Sequence, residues 1–367
     1  MFVPVYEISN KTLSCLINLE VNRKLVDIAP LQPEWESRLK QEGLVRRIFS
    51  IFHYLENGLR SDDLAKIVKD EPERDDKASD VAIRAGVVGK ERDIQQVLNF
   101  LNTNRLMEQI AYLTKKFKQT DYGQTDLIKL NALLGERLVS TTELGSFRQI
   151  NVPEEATGSA PLAVEVPYQI EDLFGWFENA GKNEIHPVLK AGTMLYELMR
   201  ISPFAKNNLS TAFCFTQLVL ASEGYDLKKL WSPEEETLKN RDNFMAALAS
   251  VPANNGELSL WFEYFTRNLD DAAEKTKTKV LNLVGDAPLF KSDKGRVISL
   301  TEREIAIMEE MTLKNEMTIK EIRNTLPMVS DDTILRDLKD LIDKKLIRKK
   351  GKTKGAVYVM GKVKSYR

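Results

Sequence analysis

Histidine and cysteine are scarce in this chain of 367 residues, with two of each. His53 and His186 are far apart, and Cys15 and Cys214 are isolated inside apolar-periodic segments. No CxxC pair or metal spacing exists, which argues against a zinc site and a disulfide framework and predicts a reduced, cytoplasmic compartment. Long apolar runs are also missing. No stretch approaches the roughly 18 uninterrupted apolar residues of a membrane span, and the first residues lack a basic segment followed by an apolar one. Neither a signal peptide nor a membrane partner is expected. Phosphate loops of the GxxxxGK[ST] and GxGxxG types are absent, and "GKNEIHP" reads as a turn and helix start. There are no internal repeats.

What is present is an ordinary globular composition, 43% hydrophobic and 29% charged, with a net charge of −1. The length predicts two or three domains. Apolar spacing of three and four dominates. It predicts a helix from about Gln32 to the Asn57-Gly58 stop, and a second one capped by Ser61. "EPERDDKASDVAIRAG" reads as an exposed connection, and helices resume over "KERDIQQVLNFLNTNRLMEQIAYLTKKF" and "TDLIKLNALLGERL". Near 146–168 the texture changes to alternation, Gly, Pro and small residues, predicting a small β-excursion. Helical spacing then returns and runs to about 285. Trp176, Phe177, Trp261 and Phe262 fall at helical spacings and belong in the core. The expected organisation is 1–80, 81–285, a linker at 286–297, and a separate unit at 298–367. The fold class is mostly α.

The last unit has its own logic. Ser299 or Thr301 can cap a first helix and Thr318 a second; Pro327 breaks the chain; Ser330 with Asp331 caps a third. "LIRKKGKTKGAVYVMGK" then gives two strands around a Gly/Lys turn. The order looks like a winged helix-turn-helix domain. From Lys344 to Arg367 every charged residue is basic, which points to phosphate and hence to DNA as a partner. Thr333, Arg336 and Lys339 would face base edges, and Lys349, Lys350, Lys352 and Lys354 would form the basic wing. Opposing this, Asp331, Asp332, Asp337, Asp340 and Asp343 make the third helix acidic. Winged helices also dock proteins, and both partners stay open.

The middle of the chain carries the most specific pattern. "GSFRQINV", "HPVLKAG" (186–192), the pair Pro203-Phe204 within "RISPFAKNNLSTAFCF", and "LWFEYF" (260–265) resemble the Fic (Fido) family over roughly Glu143 to Asn268. That family shows a G-x-[YF]-R flap entry, HP[LI]xKA, the loop HPFx[DE]GNGRxxR and W[IL]xYF. The resemblance implies a helical core with a small β-flap, a helical N-terminal extension and a frequent C-terminal winged helix. It also implies transfer of a nucleotide moiety, usually AMP from ATP, onto a protein hydroxyl. In the loop a His acts as general base and an acidic residue holds Mg²⁺. The Gly-Asn-Gly turn and the next helix start cradle anionic oxygens, and two Arg pair with phosphate.

At the corresponding positions this chain departs. Ser202 stands at the base, Lys206 at the acidic metal ligand, Asn207 and Leu209 at the two Gly, and Ser210 and Phe213 at the two Arg; Asn208 is retained. No catalytic residue is expected there, and no cofactor. ATP and Mg²⁺ would enter only with a residual family activity. Lys206, with Asn208 and Ser210, is the remaining candidate for holding a nucleotide or another anion. The family's inhibitory helix [ST]xxxE[GN] survives only as Glu56-Asn57, with Phe52 at the Ser/Thr position. His186 starts a helix, with Pro187 as its first residue, and His53 is a packing or surface residue.

Three functions stay open. One is a catalytically silent regulator or adaptor, whose flap is a candidate protein contact. A second is a rebuilt nucleotidyltransferase using Lys206 and a base such as Glu143, Glu184 or Glu223. A third is a winged-helix transcription regulator with a helical sensor or dimerisation domain, an oligomer being compatible with it.

Overall fold

The computed structural model describes residues 2–117, 122–153, 157–158, 160–180, 185–286, 300–314, 316–326, 329–351 and 357–361. The chain divides into two compact units, Met1–Leu281 and Asn282–Arg367.

The first unit is built of helices around two central ones. These are α8 (Pro187–Ile201) and α9 (Asn208–Ser222), and both are buried on nearly every side. A helix that is apolar all round has to be enclosed by others. Preceding them are α1 (Asn10–Ile28), α2 (Pro33–Tyr54), α3 (Ser61–Lys69), α4 (Ala78–Ala85), α5 (Glu91–Phe117), α6 (Gln124–Gly135) and α7 (Val166–Ala180). Following them are α10 (Pro233–Leu238), α11 (Arg241–Ala253) and α12 (Ser259–Asp286). Helices α5 and α6 pack on α9, and α7 packs on α8. Trp176, Phe177, Trp261 and Phe262 are all buried. Gly192 lets α8 approach α12: a Cβ there would lie 2.8 Å from the Phe265 ring. Trp261 Nε1 donates to Gly192 O at 2.9 Å in the same contact.

Helix α1 lies in the stretch expected as a helical N-terminal extension, where the sequence reading delimited no individual helix. It is capped by Ser9, which accepts from Thr12 N at 3.3 Å. It is tied to α12 by Lys11–Glu263 at 3.1 Å and Asn18–Asp270 at 3.1 Å. Two further local features differ from that reading. The cap of α3 is Arg60 rather than Ser61, which is its first helical residue. Here the Asp63 carboxylate reaches back to Arg60 N at 3.4 Å, so an acid inside the first turn does the capping. The charged connection after α3 holds α4, anchored by buried Ala78 and Val81 and ended by left-handed Gly86.

Among its described residues the flap region has one antiparallel bridge, Phe147 to Phe204, and a short 3₁₀ turn at Ala163–Glu165. Among the described residues no helix is long and apolar enough to cross a membrane.

The second unit runs α13 (Glu302–Lys314), β1 (Glu316–Thr318), α14 (Ile319–Thr325), α15 (Asp331–Asp343), β2 (Ile347–Lys350) and β3 (Val357–Met360). The sheet order is β1-β3-β2, antiparallel throughout. Thr301 Oγ1 accepts from Glu304 N at 3.3 Å and Thr318 Oγ1 from Glu321 N at 3.3 Å, each with the Glu returning to the cap amide. Ser299 and Pro327 lie outside the described residues. The core is Ile305, Ile307, Met308, Met311, Ile334, Leu338 and Leu341.

Candidate functional site

The loop between α8 and α9 turns through two left-handed residues. Ser202 ends α8 at φ 44°, ψ 62°, and Asn207 begins α9 at φ 64°, ψ 22°. An asparagine tolerates this conformation better than most L-residues, which explains how a Gly position can be filled by Asn207. Asn208 closes the loop from inside. Its Oδ1 accepts from Phe204 N at 2.8 Å and its Nδ2 donates to Phe204 O at 2.7 Å. From the other side Asn131, on α6, donates to Lys206 O at 3.0 Å and to Thr211 Oγ1 at 3.1 Å.

The arginine of the G-x-[YF]-R flap-entry pattern, to which the sequence reading gave no role, fixes this loop to the flap. Arg148 is 3% exposed. Its backbone N donates to Pro203 O at 2.9 Å and its Nε to Ser202 O at 2.9 Å. Its Nη1 reaches Ile150 O at 3.1 Å, and its Nη2 reaches Pro161 O and Ile201 O. A guanidinium serving carbonyls from both segments holds them in register. The available signal was its place as the last residue of "GSFR", Gly145 to Arg148, in that pattern.

The predicted site residues are distributed as follows. The Ser202 hydroxyl donates to Met199 O at 3.1 Å. Lys206 is exposed and shares its neighbourhood with Glu143, whose carboxyl is held low by Ser140 first and by Lys206 to a smaller degree. Ser210 and Phe213 are buried, Phe213 lying 6.2 Å from the Phe244 ring. Lys206, Asn208 and Ser210 are therefore not gathered on one surface. One is at the surface, one has both polar atoms engaged with Phe204, and one is enclosed. Nor does this donor set fit a divalent cation, since an ammonium stands where an acid would be needed and the amide oxygen is engaged. Among the described residues no group of three or more His, Cys, Asp or Glu is placed to hold a metal ion.

Glu56 is exposed with φ 60°, while Asn57 ties α2 to α5 through Gln96 Oε1 at 2.8 Å and Asp93 O at 3.2 Å. His186 caps α8, with Nδ1 accepting from Val188 N at 3.2 Å, and burial holds its imidazole below the usual value. His53 is exposed and stacks on Phe49. Glu223 is half-buried, and Glu184 is outside the described residues.

Against this geometry the comparisons are informative. Residues 121–220 match the profile of the Fic/DOC family. The chain carries a Fic/DOC domain. Its α6–α9 segment, with the flap and the loop just described, is that domain. No curated protein matches the chain. Among solved structures, a Fic family protein from Desulfovibrio desulfuricans aligns over 100% of both chains with a TM-score of 0.64 and 19% identity. A Fic domain containing signaling protein from Bacteroides thetaiotaomicron aligns over 75% of this chain and 97% of its own, with a TM-score of 0.54 and 16% identity. Fic-1 from C. elegans aligns over 75% and 74%, with a TM-score of 0.56 and 18% identity. At these identities the shared property is the fold.

In the second unit, Arg336 and Lys339 are exposed on α15, and Thr333 is half-buried with its hydroxyl 2.9 Å from Ser330 Oγ. Arg348, Lys349 and Lys350 are exposed along β2. Lys352 and Lys354 lie outside the described residues. The acidity of α15 is largely compensated. Asp337 pairs with Arg303 at 2.6 Å, Asp340 with Lys344 at 2.6 Å, and Asp331 with Arg323.

Proposed function

We propose that this Fic-domain chain does not transfer nucleotide and acts in the cytoplasm as a regulator. In this reading the Fic domain serves as a partner scaffold and the C-terminal unit as a winged helix on duplex DNA. The observation that carries it is Ser202. The position assigned to the general base holds a hydroxyl, which accepts no proton usefully near neutral pH, and that hydroxyl donates to Met199 O. Lys206 at the metal-ligand position supports the same reading. Support for DNA comes from the exposed Arg336, Lys339, Arg348, Lys349 and Lys350 together with the pairing of Asp331, Asp337 and Asp340. Leu335, 44% exposed on α15, favours a protein partner as the second reading.

Two assays test this. Incubation with labelled ATP and Mg²⁺ should label no protein, and magnesium-dependent labelling would refute the silent Fic domain. Anisotropy on duplex DNA should show affinity falling steeply with salt. Reversing both Lys349 and Lys350 to Glu should make the slope shallower by about 2. Absent or salt-independent binding would refute the DNA reading and leave the protein partner.

A further inference from the structure

A cleft of about 620 Å³ lies between the start of α4, the first turns of α5 and the segment that follows α6. Its volume falls within the range of about 300 to 1,000 Å³ found for small-molecule sites. None of its lining residues belongs to the loop between α8 and α9. Three of them are basic and come from the three different segments: Lys77, Arg92 and Arg137. All three are exposed. Leu138 supplies an apolar wall.

No acid neutralises these three cations. Among the described residues the side chains of Lys77 and Arg92 form no hydrogen bond or ion pair. Arg137 donates to Asp76 O at 2.9 Å and to Asp75 O at 3.4 Å. Both acceptors are main-chain carbonyls, which position the guanidinium without cancelling its charge and use two of its five N–H donors. The Asp76 carboxylate is itself committed to Arg84 at 2.6 Å, and Asp75 is exposed outside the lining. Glu91 is the one acid among the lining residues, and none of the three cations is ion-paired with it. Three cations against one acid leave the lining at a net charge of +2.

Buried side chains hold the three segments in place. Gln95, 8% exposed, donates to Asn99 Oδ1 at 2.8 Å. Asn99, 1% exposed, donates to Leu134 O at 3.1 Å and to Glu136 O at 2.7 Å. Residue 136 immediately precedes Arg137, so these bonds fix Arg137 against the helix that carries Arg92. The bonds from Arg137 to Asp75 and Asp76 in turn fix the residues just before Lys77. The backbone positions of the three cations are therefore set by the fold before a ligand arrives, which lowers the ordering cost of binding.

We propose that this cleft binds the dianionic phosphate of a small phosphate monoester. At neutral pH such a group carries about −1.5 to −2 charges, which matches the lining. A carboxylate or a phosphodiester, with a single negative charge, leaves part of the lining uncompensated. The two guanidiniums suit phosphate because their planar forks offer paired N–H bonds to its oxygens. Leu138 faces the carbon side of the ester.

Calorimetric titration of the full chain with phenyl phosphate at low ionic strength should give saturable binding with a Kd of about 1 mM or below. Dimethyl phosphate, a tetrahedral anion of single charge, should bind at least about tenfold more weakly. Lys77→Glu and Arg92→Glu, both at exposed positions, should each weaken phenyl phosphate by at least about tenfold and leave the thermal midpoint close to the wild-type value. Reversing Lys349 and Lys350, in β2 of the second unit, should leave the affinity unchanged. A phosphoserine hexapeptide should bind no more tightly than phenyl phosphate, and tighter binding would overturn a small molecule as the source of the phosphate. Lack of saturable phenyl phosphate binding would overturn the proposal. Binding unchanged by both cleft variants, or dimethyl phosphate binding as tightly, would overturn it equally.

Discussion

Asn208 holds Phe204 by both of its backbone polar groups, accepting from the amide and donating to the carbonyl. The side chain thereby acts as a strut that closes the loop ahead of α9. Asn208→Ala should lower stability by about 1–2 kcal/mol, since two backbone groups lose partners. Arg148→Met should cost more, because carbonyls of Ile150, Pro161, Ile201 and Ser202 lose donors together. Urea unfolding of the two variants beside Lys206→Ala checks the order. Lys206→Ala, exposed, should be close to neutral. Equal effects from all three would show that the loop is not held by these bonds.

His186 should give the protein a dependence on mildly acid pH. Burial depresses its pKa, aided by Arg23 and opposed by Glu20. Below about pH 6.5 the unfolded chain binds a proton that the folded imidazole binds less readily. The stabilising contribution is therefore present above that pH and is lost as pH falls through the folded value. His186→Asn keeps an oxygen able to cap α8 and removes the titration. Between about pH 7.5 and about pH 5.5 the wild type should lose more stability than this variant. Parallel losses would assign the acid sensitivity to other groups.

Arg47 and Glu234 form an ion pair with side chains 8% and 3% exposed. Burial pushes the Glu234 carboxyl upward and the neighbouring guanidinium opposes it. Removing one partner leaves the other buried and uncompensated, so Arg47→Met should destabilise by about 3–5 kcal/mol. Joining it to Glu234→Leu should recover most of that loss. A double-mutant cycle on denaturation midpoints measures the coupling. Additive single effects would mean that the two groups are solvated independently.

Much of the helical architecture is legible from periodicity. The runs that became α2, α5, α8, α9 and α12 carry apolar residues at spacings only a helix can bury together, and Pro187 and Thr318 mark where helices begin. Helix α1 was not delimited because apolar residues occur on both its buried and its exposed face. Leu16, Leu19 and Val26 are buried beside Thr12 and Asn22, while Leu13, Ile17 and Val21 are about half exposed, so no single apolar stripe marks the helix. Helix α4 was hidden by its charge, which Arg84 neutralises through Asp70 and Asp76 brought in from the preceding turns.

By itself the sequence determined the residue types of the loop: a hydroxyl where a base would sit, an ammonium where an acid would sit, and two asparagines in the turn. Chemical identity is a property of each residue and needs no neighbours to be read. Only the tertiary structure decided which groups are already engaged. Asn208 is taken by Phe204, Arg148 binds the flap to the loop, and Asn131 on α6 reaches Lys206 O and Thr211, because hydrogen bonds join residues whose separation along the chain says nothing about their distance in space.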